Sequence, residues 1–378
     1  MRILHTSDWH IGRSLFDYPL LEEQRFFFQQ LYQIIEERQV DAVVVAGDIY
    51  DRSAPSAEAV SLLNEVLDHL IHHCKVTVLA IAGNHDSPRR IAYGNTLFQH
   101  FHLYMEGLCQ KEIKKVTLQD QYGPIHFFLL PYFISQEVRA LFGNKAIDTS
   151  TKAFEALMEE NRWNIDNSQR NVLVAHGFFM KTKCPQAFSL SQSEVAVGAS
   201  DLTDISSAAD FDYIALGHLH GPQRAGGETC RYSGSPLKYS VSEVQQEKGV
   251  LLVDIGEKGN VEVLPIPLRP LRDLQVLTGT MEQLLAGDTD DFVYANITDT
   301  SAVLHAMSQL RARYPHILGL SFAAQASAPA QELDIPLEKL PLDETFQRFY
   351  SHITKEDIPP ARQQIVEELC NKLEKNRK

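Results

Sequence analysis

The stretch Ala42-Val43-Val44-Val45-Ala46-Gly47-Asp48-Ile49-Tyr50-Asp51 joins an apolar, β-branched run to a glycine and two aspartates. Uninterrupted runs of this kind are typical of strands that are buried in a parallel sheet. In α/β sheets the ligand sites lie just beyond the carboxyl ends of such strands. The stretch therefore predicts a buried parallel strand that leads into a functional loop.

Four further polar clusters follow the same pattern along the chain. They are Asp8-Trp9-His10, Gly83-Asn84-His85-Asp86, Ala175-His176 and Gly217-His218-Leu219-His220, at or beyond the ends of the apolar runs Ile3-Leu4, Val76 to Ala82, Val172 to Ala175 and Tyr213 to Leu216. Gly47, Gly83 and Gly217 each precede a candidate ligand, where a missing side chain lets the backbone approach a crowded centre. We expect the clusters to form one site at the strand ends.

The donors in these clusters are carboxylates, imidazoles and an amide, without a thiolate, which favours Mn²⁺ or Fe²⁺ and allows Zn²⁺. The candidate ligands are Asp8, His10, Asp48, Asn84, His176, His218 and His220. In an extended segment residues i and i+2 point to the same side, so Asp8 with His10, and His218 with His220, aim two donors into one site. Seven donors are too many for one ion, whereas two ions about 3.5–4 Å apart use them and support in-line displacement at phosphorus.

Size and composition favour a globular protein with a large core and an accessory module. The chain has 378 residues, of which 44% are hydrophobic and 22% charged. No apolar run approaches the ~20 residues that span a bilayer, and the predicted strand at the N-terminus leaves no room for a signal peptide. The cysteines are scattered without a C-x-x-C pair, which predicts reduced thiols. We therefore expect a cytoplasmic protein without membrane association.

The formal net charge of −14 argues against a free-standing nucleic-acid binder. Neutralisation of phosphates by basic side chains supplies most non-specific affinity for DNA. A role on DNA then depends on a local basic patch, on bound metals or on a partner that contributes charge. Arg89 and Arg90 are candidates for phosphate contacts, and surface solvation or ion pairing explains them equally well.

The order of predicted elements favours a two-sheet α/β sandwich over a single open sheet. The pattern predicts helices over Leu20 to Arg38 and Ser56 to Cys74, a strand pair over Ile113 to Leu130 that turns at Tyr122-Gly123-Pro124, and shorter strands from Arg231 to Pro265 with a turn over Gly256 to Asn260.

A domain boundary is predicted in Leu264-Pro265-Ile266-Pro267-Leu268-Arg269-Pro270, where three prolines stiffen the chain and interrupt strand pairing. Beyond it the pattern predicts a small α+β module and a linker. The module has strands over Asp273 to Thr278, Phe292 to Ile297 and Ile317 to Phe322 and a helix over Ala302 to Arg313; the linker covers Ser327 to Pro341. Two amphipathic segments follow, with apolar stripes at Phe346, Phe349, Tyr350 and Ile353 and at Ile365, Val366, Leu369, Cys370 and Leu373. The predicted domains are residues 1–265, 266–340 and 341–378.

The motif set D-x-H, G-D-x-x-D, G-N-H-D, H and G-H-x-H resembles the calcineurin-like metallophosphoesterase superfamily over residues 1 to about 265. Within it, Met1 to Gly12, Val45 to Asp51, Tyr213 to His220 and Arg231 to Leu237 closely resemble the bacterial SbcD family of nuclease subunits. The resemblance implies the metallophosphoesterase two-sheet α/β sandwich with a small α+β capping domain and C-terminal helices. It also implies a 3′-5′ exonuclease and endonuclease that cleaves double-stranded DNA ends and hairpins in repair and recombination.

The resemblance further implies a role for each candidate residue. Asp8, His10, Asp48 and His220 would hold one Mn²⁺, and Asp48 with Asn84, His176 and His218 would hold the other, with Fe²⁺ or Mg²⁺ as substitutes. His85 would stabilise the transition state and help to protonate the leaving oxygen, and Asp86 would orient His85. A role for His85 as a hydrogen-bonding spacer stays open. Archaeal and eukaryotic relatives carry a histidine at the position of Asp51, so no role is implied for that side chain.

The implied partners are DNA, an SbcC-like ATPase and a second nuclease subunit, which together would form a heterotetramer. The ATPase would contact the two C-terminal amphipathic segments, although helix faces more often pack on their own domain. Leu15 to Phe28 is the candidate for the contact between nuclease subunits.

Two other functions stay open at this stage. A stand-alone phosphoesterase would use the same two metals on nucleotides or small phosphoesters, but it would need neither a cap nor C-terminal helices. A non-catalytic scaffold would keep the fold, but it would have no reason to keep seven ligands and His85. Buried carboxylates and imidazoles without partners are costly, which also disfavours the scaffold.

Overall fold

The computed structural model describes residues 1–181, 202–299, 301 and 303–323, and scattered residues of the C-terminal segment (345–347, 350–351, 358–359, 362–363, 365–366 and 369–370). Two compact units, Met1–Ala323 and Ala324–Lys378, are described separately. Among the described residues, every helix is too short or too polar to cross a membrane.

The first sheet of the larger unit has six strands, and its parallel part contains the quoted stretch. From edge to edge the strands are β16 (Val261–Pro267), β15 (Gly249–Ile255), β1 (Arg2–Thr6), β4 (Ala42–Val45), β5 (Thr77–Ile81) and β6 (Leu103–Glu106). Strands β1, β4, β5 and β6 run parallel, while β15 is antiparallel to both β1 and β16. The predicted parallel strand before Asp48 is therefore confirmed.

The second sheet repeats this plan with six further strands. From edge to edge they are β13 (Gln223–Gly227), β14 (Cys230–Tyr232), β12 (Tyr213–Gly217), β9 (Arg170–His176), β8 (Gly123–Leu130) and β7 (Lys114–Asp120). The four central strands are parallel, and the two edge strands are antiparallel to their neighbours. Strands β7 and β8 form the predicted strand pair.

Helices cover the outer face of each sheet, which gives the predicted two-sheet α/β sandwich. The helices are α1 (Leu21–Arg38), α2 (Ala57–Asp68, continued by a π-helical turn over His69–His73), α3 (Pro88–Ile91), α4 (Asn95–Phe98), α5 (Ser135–Phe142) and α6 (Ser150–Asn161). Short 3₁₀ turns cover Gln99–Phe101, Arg162–Asn164, Ile205–Ala208 and Val241–Glu243. The two-residue strands are β2 (Ser14–Leu15), β3 (Tyr18–Pro19), β10 (Phe179–Met180) and β11 (Thr203–Asp204). Alternate strand residues face opposite sides. Val44 accordingly packs between the sheets with Phe127, while Val43 packs with Leu31 of α1. Phe154 of α6 packs on the outer face of the second sheet.

The proline-rich segment behaves differently from the prediction. Pro265 and Pro267 belong to β16 and pair with Leu251 and Gly249, so the prolines do not interrupt strand pairing. Strand β16 lies at the edge of its sheet. A proline is tolerated there because its missing N–H can fall on the unpaired side of the strand.

A small parallel sheet with two helices follows, as the predicted module. Its strands are β17 (Leu274–Gly279), β18 (Phe292–Ile297) and β19 (Ile317–Phe322), and its helices are α7 (Met281–Ala286) and α8 (Ala306–Arg313). Leu284 and Leu310 from the two helices pack against Val293. The predicted helix over Ala302 to Arg313 begins later, at Ala306, and α7 was not predicted. The signal for α7 was the capping box of Thr280 and Gln283.

The segment expected to form subunit contacts, Leu15 to Phe28, is partly internal. Leu15, Leu20, Phe27 and Phe28 are buried in the core between α1 and the first sheet. Packing within the chain explains the apolar character of these four side chains, whereas Phe16 of the same segment is 51% exposed, so the expected homodimer contact stays a prediction.

In the smaller unit, residues 345–347, 350–351, 362–363, 365–366 and 369–370 are helical. They include Phe346, Tyr350, Ile365, Val366, Leu369 and Cys370 of the predicted stripes. Phe349, Ile353 and Leu373 lie outside the described residues, as do Cys184 and the predicted linker.

Candidate metal centre

The strand ends of both sheets meet at one place, as the sequence predicted. Asp8 follows β1, Asp48 follows β4, and His218 follows β12 of the other sheet. The backbone N–H of His218 donates to both carboxylate oxygens of Asp8, at 3.1 Å each. The side chains of Asp8, Asp48 and His218 are all buried. The site therefore lies between the two sheets and joins residues that are 210 positions apart in the chain.

The backbone at these strand ends is unusually crowded. Asp8, His10 and Asp48 have φ angles of 53°, 44° and 50°, a region that costs energy for residues with a side chain. A Cβ on Gly83 would lie 2.1 Å from Asp48 Oδ1, and one on Gly47 would lie 2.3 Å from His176 Nδ1. Together with the similar contact of Gly217, these distances confirm the predicted reason for the three glycines.

One group of donors consists of Asp8, His10 and His220, whose ligand atoms all lie within 4.8 Å of one another. The Nε2 atoms of His10 and His220 are 3.2 Å apart. Asp48 Oδ2 lies 3.7 Å from His10 Nε2. The four residues assigned by resemblance to one ion are thus brought together.

A second group is formed by Asp48, Asn84, His176 and His218. Asp48 Oδ2 lies 3.5 Å from His176 Nε2. Asn84 Oδ1 lies 3.0 Å from both His176 Nε2 and His218 Nδ1. Asp48 therefore faces both groups, in the position that a shared ligand would occupy.

Hydrogen bonds on the outer side of two imidazoles determine which nitrogen faces the centre. His176 Nδ1 lies 2.7 Å from the carbonyl oxygen of Ala46, and His220 Nδ1 lies 2.9 Å from Glu243 Oε1. Each Nδ1–H donates outward, so Nε2 is the nitrogen that faces the centre and could bind a cation once it is deprotonated. The sequence analysis missed Glu243, because it lies 23 residues beyond His220 without any motif.

His85 lies at the exposed edge of the site and is oriented by a backbone group. Its Nδ1 lies 2.9 Å from the carbonyl oxygen of Asp51, and its ring centroid is 4.8 Å from that of His10. Its backbone N–H donates to Asp48 Oδ1 at 2.9 Å. The Asp51 carboxylate accepts from Arg13 at 3.0 Å. His85 thus faces solvent next to the metal donors.

The carboxylate of Asp86 binds backbone groups of two loops. Its carboxylate accepts hydrogen bonds from the backbone N–H groups of Ile49, Tyr50 and Gly83, at 2.9–3.0 Å. Its hydrogen bonds among the described residues thus go to backbone groups and not to the His85 ring, and its expected role in orienting His85 stays a prediction. The buried carboxylate instead holds the Asp48 and Asn84 loops together.

The electrostatics favour a charged pair between Asp48 and His176 when no cation is bound. Burial would raise the pKa of Asp48, but the neighbouring imidazoles, above all His176, lower it well below its ordinary range. Burial would lower the pKa of His176, but Asp48 raises it to about 9. Burial raises the pKa of Asp8 to about 6. Because His176 must lose its Nε2 proton to bind a cation, metal affinity should fall as the pH falls.

The donor set fits divalent cations. The Nε2 atoms of His10 and His220 approach each other closely, and buried His10 Nδ1 has no hydrogen-bond partner among the described residues. Carboxylate oxygens and imidazole nitrogens converge in two groups that share Asp48. Such a set of oxygen and nitrogen donors suits Mn²⁺, Fe²⁺ or Zn²⁺.

Comparison with known proteins identifies the family. Residues 1–222 match the calcineurin-like phosphoesterase family, and residues 270–354 match the type 5 capsule protein repressor C-terminal domain. A protein from Staphylococcus epidermidis, named as the SbcD subunit of the nuclease SbcCD, is 34% identical over 326 residues, which cover 85% of each chain. One from Staphylococcus saprophyticus with the same name is 31% identical over 381 residues, which cover 99% of this chain and 98% of the relative. The chain belongs to the SbcD family of calcineurin-like phosphoesterases.

Family membership makes the chain a metal-dependent hydrolase and confirms the resemblance seen in its motifs. A solved structure described as a dimetal phosphatase from Danio rerio shares 14% identity, covers 71% of this chain and 98% of that chain, and has a TM-score of 0.40. The convergent Asp and His donors support a site for divalent metals.

Proposed function

We propose that this chain is the Mn²⁺-dependent nuclease subunit of a DNA repair complex with an SbcC-like ATPase. It would cleave double-stranded DNA ends as an exonuclease and hairpins as an endonuclease. The observation that carries the proposal is the convergence of seven metal donors, with Asp48 facing both groups, in a chain whose relatives are named as nuclease subunits.

The proposed ligand sets follow the two groups of donors. Asp8, His10, Asp48 and His220 would hold one cation, and Asp48, Asn84, His176 and His218 would hold the other. The distances from Asp48 Oδ2 to His10 Nε2 and His176 Nε2, 3.7 and 3.5 Å, support a shared role for this carboxylate. When bound, two divalent cations activate water and neutralise the charge that develops at phosphorus.

His85 is the proposed general acid. It is exposed and lies beside the donors, and its Nδ1–H is occupied by the Asp51 carbonyl. Its Nε2 is therefore the nitrogen that would carry a proton to the leaving oxygen. Asp86 contributes indirectly, because it fixes the backbone at Ile49 and Tyr50 that leads to Asp51.

Three exposed arginines belong to the Asp51 loop and to the segment that follows His85 in the sequence, and Arg52 pairs with Asp51 at 3.5 Å. Arg52, Arg89 and Arg90 are exposed, and 83% of the Arg52 side chain is accessible. Arg89 and Arg90 lie on α3, directly after the Gly83 loop. These arginines would contact backbone phosphates of DNA, while the partner supplies the rest of the positive surface.

Each predicted domain has one proposed role. Residues 1–265 would cut DNA, residues 266–340 would cap the site, and residues 341–378 would bind the ATPase.

A second nuclease subunit would contact the exposed apolar side chains of Tyr93, Leu97 and Phe101, which follow each other at intervals of four residues. Large apolar side chains that are this exposed suit a protein interface.

The test uses linear duplex DNA and a small bis-aryl phosphodiester, each with Mn²⁺ and with or without an SbcC-like ATPase. DNA degradation that the ATPase stimulates would support the proposal. Turnover of the small ester without DNA cleavage would favour the stand-alone phosphoesterase, and inertness on both would favour the scaffold. Parallel assays with Fe²⁺, Mg²⁺ and Zn²⁺ identify the effective metal.

A further inference from the structure

A buried ion pair lies directly behind His220, on the side away from the other donors. Glu243 is fully buried on the 3₁₀ turn Val241–Glu243, and its Oε1 lies 2.9 Å from His220 Nδ1. Its Oε2 accepts from Lys248 Nζ at 2.7 Å and from the backbone N–H of Tyr239 at 3.2 Å. Both oxygens of the carboxylate are therefore occupied.

Lys248 holds the side chain and the backbone of the same region. Besides Glu243, its Nζ donates to the carbonyl oxygen of His220 at 2.9 Å, to Ser235 Oγ at 2.8 Å and to Gln246 Oε1 at 2.8 Å. Only 8% of Lys248 is exposed, so its charge needs the buried carboxylate of Glu243. Lys248 thus links the backbone carbonyl of His220 to Glu243, the residue that binds the His220 ring.

His176, one of the two imidazoles in the second group of donors, has a weaker outer partner than His220. His176 Nδ1 donates to the neutral carbonyl of Ala46, whereas His220 Nδ1 donates to a carboxylate. A carboxylate partner makes the imidazole a better electron donor than a carbonyl does, and it fixes the ring more firmly. The two groups of donors therefore differ in the outer partner of an imidazole, and this partner affects metal affinity.

We infer that Glu243, held by Lys248, is a positioning residue that makes the cation position of Asp8, His10 and His220 the tighter of the two. The inference rests on the proposed two-metal centre. Removal of the carboxylate should weaken binding at this position and leave the position of Asn84, His176 and His218 unchanged. Loss of such an outer partner typically costs about 10–100-fold in metal affinity.

The experiment is an isothermal titration of the metal-free, full-length chain with Mn²⁺. Wild type should bind two ions with distinct affinities, and Glu243→Gln should weaken the tighter step by about 10–100-fold. Glu247→Gln is the matched control, because Glu247 is an exposed acid on the same loop. Thermal melting without metal reports whether each variant folds.

A second variant covers the case in which Glu243→Gln does not fold because Lys248 loses its partner. The double variant Glu243→Gln with Lys248→Met removes both charges and should show the same weakened step. Two ions bound with wild-type affinities, or equal weakening of both steps in a folded variant, would overturn the inference and leave the metal centre intact. A wild type that binds no Mn²⁺ would overturn the proposed function as well.

Discussion

The backbone N–H of His218 donates to the carboxylate of Asp8 across the gap between the two sheets. Asp8 follows the first strand of one sheet, and His218 follows a central strand of the other. The hydrogen bond fixes Asp8 without using a side chain from the second sheet, so the ring of His218 faces Asn84 instead. The metal site therefore depends on how the sheets face each other, and small changes in the backbone should affect it strongly.

Gly83→Ala is expected to remove the metal centre through the backbone. The new Cβ would lie 2.1 Å from Asp48 Oδ1 and 2.3 Å from Asp48 N, and the backbone atom has no room to move. Because Asp48 faces both groups of donors, titration calorimetry should show loss of both Mn²⁺ binding steps. Gly227→Ala is the control, since its Cβ meets nothing within 4 Å. Two intact binding steps in Gly83→Ala would contradict the crowded arrangement.

Asp120→Asn should make stability less sensitive to acid. Burial would raise the pKa of Asp120, but hydrogen bonds from Arg170 at 2.6 and 2.9 Å lower it well below the ordinary 3.8. A lowered folded-state pKa stabilises the fold above about pH 4, and this contribution is lost as the pH falls below that value. The variant should cost about 2 kcal/mol at pH 7, with the difference shrinking in acid. Urea unfolding at a series of pH values measures the free energy of unfolding of the variant and of wild type.

Asp254→Asn is the control for the same experiment. The side chains of Asp254 and its partner Arg2 are 44% and 37% exposed. Exposed ion pairs contribute only about 0–1 kcal/mol, so this variant should unfold almost like wild type at each pH. A pH-independent loss in Asp120→Asn would show that the carboxylate acts through packing and not through its charge.

The strand ends explain why much of the site could be predicted from the sequence. Buried parallel strands appear as apolar runs, and the residues after them share one edge of the sheet. Asp48 and His218 were found in this way, although they belong to different sheets. Gly83 and Gly217 each precede a candidate ligand, and this position indicated that the backbone is crowded at the strand ends.

The remaining features depend on contacts that have no local pattern. Glu243 and Lys248 reach His220 from a loop whose path is set by the edge of the second sheet and the start of β15. The role of Asp86 was implied by the family resemblance, and the sequence did not reveal that its carboxylate faces the backbone of Ile49 and Tyr50. Neighbours in a loop often point in different directions, and sequence spacing does not reveal which.

Arg89→Gln with Arg90→Gln should weaken DNA binding in a salt-dependent way. Each phosphate contact contributes about 0.9 to the slope of log K against log salt concentration. If both arginines contact phosphates, the slope should fall by about 2. Fluorescence anisotropy with duplex DNA measures the slope in a His85→Ala background, in which cleavage should be slow. An unchanged slope would assign both arginines to solvation.

The control for the arginine pair is Arg139→Gln with Arg162→Gln. These two side chains are exposed on helix α5 and the turn after α6, away from the His85 loop in sequence. The substitution makes the same change in net charge. An equal drop in slope for both pairs would show that overall charge, and not a local contact, governs binding.

Leu97→Glu with Phe101→Glu should convert a dimer of the chain to a monomer. Leu97 and Phe101 are 67% and 58% exposed, so the substitutions should leave folding unaffected. Light scattering after gel filtration should show half the wild-type mass, with an unchanged melting temperature. Trp163→Glu, at another exposed apolar side chain, should leave the mass unchanged. A wild type that is already monomeric would refute this surface as a dimer contact.

His85→Ala should separate chemistry from metal binding. The ring is exposed beside the donors and contacts the Asp51 carbonyl, so its removal should leave both Mn²⁺ binding steps intact. Loss of a general acid should slow single-turnover cleavage of duplex DNA by about 10²–10⁴-fold. The control His72→Gln removes an exposed imidazole that pairs with Asp68 on a helix. If His85 were a hydrogen-bonding spacer, His85→Gln would restore the rate, because its amide can still donate to the carbonyl, whereas a general acid cannot be replaced by an amide.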